Sequence, residues 1–140
     1  MADAFDLSRF VAAQADVYPS ALAEIARGRK TSHWMWFVFP QIAGLGRSPV
    51  AQHYALSSAT EAVAFAQHPL LGTRLRECVE TLQQLPEVSA IAVFGPVDAM
   101  KLRSSLTLFA AATGNRLFND AIDRWFDGER DQATLDLLVA

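Results

Sequence analysis

Residues 32–46 read Ser32-His33-Trp34-Met35-Trp36-Phe37-Val38-Phe39-Pro40-Gln41-Ile42-Ala43-Gly44-Leu45-Gly46, an aromatic block closed by a proline and a glycine-bracketed turn. A buried Phe or Trp contributes roughly 1.5–3 kcal/mol or more through its apolar surface, so the chain has to fold around this block. Polar residues stand at both ends, Lys30, Ser32 and His33 before it and Gln41 and Arg47 after it. The block therefore reads as the wall of a binding pocket.

Helix signals dominate on either side. Asp6 is placed to cap a segment carrying Leu7, Phe10 and Val11, and Pro19 fits the first turn of a second helix that bears Leu22, Ile25 and Ala26 and ends at Gly28. Pro49 starts a short helix after Ser48, and Ser58-Ala59-Thr60-Glu61 has the form of a capping box. Pro69 opens the longest periodic stretch, with Leu71, Leu75, Cys78, Val79 and Leu82 on one stripe before Pro86. Another helix runs from Pro96 through Leu102, Leu106 and Phe109 to Thr113-Gly114-Asn115. The last two cover 116–127, closed by Gly128, and 132–139, capped by Asp131. The expectation is an all-α bundle of about seven to nine short helices. Residues 33–39 and 88–94 are short apolar runs whose periodicity does not separate strand from helix, so an α+β fold with two short buried strands is the second reading. A two-stranded sheet alone is poorly stable, which favours the first.

A chain of 140 residues predicts one domain over 1–140. Hydrophobic residues make up 51% and charged residues 19%, which predicts a generous core together with apolar surface that meets a partner, most simply in a homodimer. A formal net charge of −3 argues against nucleic acid, which selects a basic face. Met1-Ala2-Asp3-Ala4-Phe5-Asp6 has no basic or long apolar segment, so no signal peptide is expected, and the aromatic run is too short to span a bilayer. No membrane association and a cytoplasmic location are expected. The single Cys78 lies on the apolar stripe and reads as a buried structural thiol.

Two constellations carry chemistry. Arg29-Lys30-Thr31-Ser32 sets two cations and two hydroxyls where a helix should start, and Gly44-Leu45-Gly46-Arg47-Ser48-Pro49 repeats the idea, so an anion fits between them. The plainer reading makes the serines caps and the glycines turns. In the second, Asp98, Lys101 and Ser105 share a helical face with Leu102 and Phe109. That is explained either by an Asp98–Lys101 ion pair with a serine bonded to a backbone carbonyl, or by a pocket shared with the aromatic block. His33, His53 and His68 lack metal-ligand spacing, so no metal and no cofactor are expected. His33 is the one histidine placed to carry a proton.

The strings Arg9-Phe-Val-Ala-Ala-Gln14, Ser32-His-Trp-Met-Trp-Phe-Val-Phe-Pro-Gln41, Gly44-Leu-Gly46, His68-Pro-Leu-Leu-Gly72, Phe94-Gly95, Lys101-Leu-Arg-Ser-Ser-Leu-Thr-Leu-Phe109 and Asp131-Gln-Ala-Thr-Leu135 resemble the bacterial family of domain of unknown function 1810. The resemblance covers nearly the whole chain and implies a compact all-helical fold. Leu106 departs from the methionine more usual there. Some relatives carry the name calpastatin, which fits poorly, since that inhibitor is a disordered polar chain and this composition favours a packed core. The resemblance implies no activity and no catalytic residue.

The residues point to a domain that binds a small anionic ligand, such as a nucleotide or ADP-ribose-like compound. Trp34, Trp36 and Tyr54 would stack, Lys30, Arg47 and Lys101 would supply charge, and Ser32, Gln41 and Ser105 would add polar contacts. A hydrolase version has His33 or Asp98 activating water. The alternative is a protein-interaction or structural module without catalysis.

Overall fold

In the computed structural model, which describes residues 5–139, the chain forms nine helices and, among those residues, no strand. They are α1 (Ser8–Gln14), α2 (Tyr18–Ala26), α3 (Met35–Val38), α4 (Pro49–His53), α5 (Ala59–Gln67), α6 (Leu71–Gln83), α7 (Ala90–Thr113), α8 (Arg116–Phe126) and α9 (Gln132–Val139). Both segments that admitted a strand reading are helical, in α3 and the first turns of α7. The α+β alternative is thereby corrected; among the described residues the one bridge is an isolated pairing of Ile42 with Leu56. Residues 1–4, on which most of the signal-peptide reading rests, lie outside the described residues. Among the described residues no helix is long and apolar enough to cross a membrane.

Local signals explain most of the boundaries. Arg29 N–H bonds to Glu24 O at 3.0 Å and Gly28 N–H to Ile25 O at 2.9 Å, which closes α2 with a left-handed Gly28 in a Schellman turn. Ser48, Ser58, Ser89 and Asn115 accept backbone N–H groups at the starts of α4, α5, α7 and α8. Asp131 accepts the Thr134 N–H at 3.3 Å and so caps α9 as expected. Three details differ from the sequence reading. Asp6 stands one residue too early and accepts the Ser8 hydroxyl at 2.6 Å, while α1 has Leu7 at its cap position without a side-chain bond. Glu61 reaches back past Ser58 to the N–H and hydroxyl of Ser57 at 2.7 and 2.8 Å, while its other oxygen lies 3.1 Å from Arg9. α8 ends at Phe126, with Asp127 itself left-handed.

The aromatic block is core: Trp34, Met35, Phe37, Val38 and Phe39 are all buried. Phe94 meets both Trp34 and Phe39 edge-on. The second half of α7 is the centre of the molecule. Residues 104–110 are buried on every side, and α3, α5, α8 and α9 pack around this helix. At its other end α7 breaks at Gly95, whose φ of 80° and ψ of 163° are open to glycine and which is followed by Pro96. The break re-aims the helix so that Val97–Lys101 run past the loop that follows the aromatic block.

Candidate functional site

The segment between α2 and α3, which the sequence offers to an external anion, already holds an internal one. Glu24, on the buried face of α2 and 3% exposed, accepts hydrogen bonds through Oε1 from Thr31 N–H (2.7 Å), Ser32 N–H (2.9 Å) and the Trp34 indole (3.0 Å). Its Oε2 accepts the Ser32 hydroxyl. Burial raises the carboxyl, but these donors outweigh it and hold the pKa at about 2, below an ordinary 4.5. The Ser32 and Trp34 groups that the sequence offers to a ligand are thus occupied by the protein's own carboxylate. Sequence reading passes over Glu24 because a single Glu on a helix normally faces water. The available signal is its position: three residues after Ala21 and one before Ile25, it lies on the apolar face of α2.

Lys30 is fixed by the same turn. Its ammonium donates to the carbonyl of Ser32, lies 2.8 Å from Asp98 Oδ2, and sits over the Trp34 ring at 4.9 Å. Two oxygen acceptors and a ring face thus surround the ammonium, and the side chain is only 7% exposed. Asp98 in turn approaches Lys101 through its other oxygen, at 3.8 Å, too far for a hydrogen bond. The Lys101 ammonium lies 4.5 Å from the centre of the Trp36 ring. The expected Asp98–Lys101 pair therefore exists only as the weaker half of a triad: two cations share one carboxylate.

Lys101 borders a cleft of about 410 Å³. One wall is the loop after the aromatic block, with Gln41, Leu45 and Gly46; the other is α7, with Val97, Met100, Lys101 and Ser104; Asp131 and Ala133 close the end. Both walls are held in place. Leu56 N–H bonds to Gln41 O at 2.9 Å and Ala43 N–H to Leu56 O at 2.8 Å, while Gly44 packs so closely on Leu137 that an added Cβ would lie 3.1 Å from it. Asp131 accepts the Ser104 hydroxyl at 2.9 Å and lies 3.8 Å from Arg103. The ammonium of Lys101 has no hydrogen-bond acceptor among the described residues. Of the residues that line the cleft, Lys101 and Asp131 carry charge, one of each sign; behind them Lys30 pairs with Asp98, and Arg103 lies 3.8 Å from Asp131 and 3.7 Å from Glu129.

The structure thus brings Lys30, Ser32, Trp34, Trp36, Gln41, Asp98 and Lys101 into one neighbourhood, with Gln41 and Lys101 on the cleft itself. The other predicted residues are elsewhere. His33 is exposed, and no hydrogen bond or ion pair joins it to Asp98. Arg47 is exposed on the approach to α4, where its carbonyl accepts from Gln52 at 2.9 Å. Tyr54, half-buried, packs against Phe10 and Phe37 at the edge of the core. Ser105 is fully buried, and its hydroxyl has no hydrogen-bond partner; the serine that bonds back to a backbone carbonyl is Ser104, to Met100. Cys78 is buried as expected, and burial pushes its thiol up to about 12. Among the described residues no group of three or more His, Cys, Asp or Glu side chains is arranged to hold a metal.

The chain belongs to the family described as protein of unknown function (DUF1810), which matches it over residues 4–138. It is similar to the conserved hypothetical protein Rv1873 from Mycobacterium tuberculosis, known from a crystal structure, at 50% identity and a TM-score of 0.96, covering 99% of each chain. No curated protein matches.

Proposed function

We propose that this DUF1810 domain binds a small organic anion of nucleotide size in the cleft between the 41–46 loop and α7, with Lys101 as its charged contact. The observation that supports the reading is the state of Lys101. It lines a cleft of about 410 Å³, within the range of small-molecule sites, and its ammonium, 3.8 Å from Asp98 and over the Trp36 ring, donates no hydrogen bond to the described residues. Leu45, Val97, Met100 and Ala133 offer an apolar surface to the body of such a ligand, and Gln41 offers an amide that both donates and accepts. Trp36 supports the ammonium from below. Lys30, Ser32 and Trp34 contribute by shaping this wall, since their polar atoms are engaged within the protein. Hydrolysis is not part of the proposal, because Asp98 is held by two lysines and His33 stands apart from it.

Calorimetric titration with ADP-ribose and with AMP tests the proposal. Binding is expected from at least one, and Lys101→Met should weaken it by about tenfold or more, the loss that goes with one charge-assisted hydrogen bond. No heat from either compound, or equal affinity in the variant, contradicts it.

A second reading, a protein-interaction module, is favoured by one observation. Ile91, Val97 and Met100, on the first turns of α7, are 60%, 64% and 72% exposed. Beside them lies an apolar groove of about 260 Å³ that includes Pro96, Trp125 and Phe126. On this reading the chain sediments as a dimer at micromolar concentration, and Met100→Asp returns it to a monomer. A wild-type chain that sediments as a monomer counts against self-association.

A further inference from the structure

We infer that Lys30 is a positioning residue for the cleft: by neutralising Asp98 from behind, it keeps the Lys101 ammonium free for an anionic ligand. The inference rests on the reading of the cleft as an anion site and gives that site its control element. Asp98 sits between two lysines in unequal geometry. Lys30, 7% exposed, approaches Oδ2 at 2.8 Å; Lys101, 23% exposed, stays 3.8 Å from Oδ1 and lies over Trp36 instead. An isolated aspartate one helical turn from a lysine would draw it into a direct bond. Here the buried lysine already supplies that bond, and the outer one stays beyond hydrogen-bond distance of the carboxylate.

What holds Lys30 in place is the turn built on Glu24. The carboxylate of Glu24 gathers Thr31, Ser32 and Trp34, the turn's Ser32 carbonyl and Trp34 face receive the Lys30 ammonium, and the Lys30 N–H bonds to Val93 O at 2.8 Å, just before the break in α7. The first part of α7 is thus tied to the loop at two points. Neither tie touches the cleft.

The substitutions that test this have opposite expected signs, which a purely structural role would not produce. With ADP-ribose as probe, Lys30→Met should weaken binding about tenfold, because the released Asp98 captures Lys101. Asp98→Asn should tighten it by about the same factor, the order expected for removing one competing charge a few ångströms from the ligand at a partly exposed site. The double variant should bind like Asp98→Asn, and Lys30→Arg should restore the wild-type affinity. A crystal structure of Lys30→Met tests the inference without any ligand: the Lys101–Asp98 separation should close from 3.8 Å to about 2.8 Å, the length of a charge-assisted bond. If Lys101 stays over Trp36 in that variant, the inference is overturned whether or not ADP-ribose binds. It is overturned equally if Lys30→Met and Asp98→Asn shift affinity in the same direction. If wild type gives no heat with ADP-ribose or with AMP, the binding proposal is contradicted, while the separation in the crystal still decides the inference. Should Lys30→Met fail to fold, Asp98→Asn, at a position 21% exposed, carries the test alone: unchanged or weakened binding overturns it.

Discussion

Glu24 shows how one side chain can redirect the reading of a whole segment. Four donors converge on it, and they are the same groups that make Thr31–Trp34 look like a ligand cradle in the sequence. Its ionisation is linked to stability with a definite sign. The folded-state pKa, about 2, lies below the ordinary 4.5, so the stabilisation is fully present above pH 4.5 and is lost as pH falls from there toward 2. The displacement corresponds to roughly 3 kcal/mol for a group this buried. Glu24→Gln should therefore be less stable than wild type at pH 7 by about that amount, and the gap should shrink on acidification; chemical denaturation across pH 2–7 measures it, and parallel stability curves would refute the assignment. Ser105 is the opposite case. Its place on the apolar face of α7 was legible, but the orphaned hydroxyl was not, because whether a helical serine bonds back to its own carbonyl depends on rotamer and packing.

Helix ends were readable where the cap is local chemistry, as at Ser48, Gly28 and Asp131. The start of α5 at Ser58 was readable too, with Ser58 accepting the Glu61 N–H; what the local pattern does not give is that Glu61 takes the Ser57 N–H and an ion pair with the distant Arg9. Two glycines in helices act through different means. At Gly95 an added Cβ meets nothing within 4 Å, and the requirement is the backbone angle alone. At Gly72, in the first turn of α6, an added Cβ would lie 1.9 Å from the carbonyl oxygen of Ala66 in α5, an overlap relieved only by parting the two helices. Gly72→Ala should lower stability by about 3 kcal/mol in urea denaturation, at the upper end for an overpacked core. A change below about 0.5 kcal/mol would mean that the two helices are not held at this distance. Nothing in the periodicity of residues 71–83 announces this contact, because it belongs to the crossing of two elements.

Across the molecule, the all-helical architecture was legible because caps, prolines and a 3.6-residue period agree along nearly the whole chain, and the aromatic block is as buried as its composition demands. The convergence of the candidate site's residues was legible in part. Lys101, Trp36 and Gln41 converge, since an amphipathic helix end and a glycine loop beside the same aromatic core have few other places to go. Arg47 and Tyr54 do not join them: the loop between Gly46 and Ser48 turns Arg47 outward, and Tyr54 is taken up by Phe10 and Phe37. Sequence placed every cation in the region on an equal footing, whereas burial divides them, with Lys30 consumed inside and Lys101 left at the edge of the cleft. The position of ADP-ribose in a crystal of the wild-type chain examines that division most directly. The account predicts a phosphate oxygen at about 2.8 Å from Lys101 Nζ, with the body of the ligand against Leu45 and Met100 and no ligand atom on Lys30. A ligand bound at another surface, or one seated in this cleft with its phosphate turned away from Lys101, would contradict it.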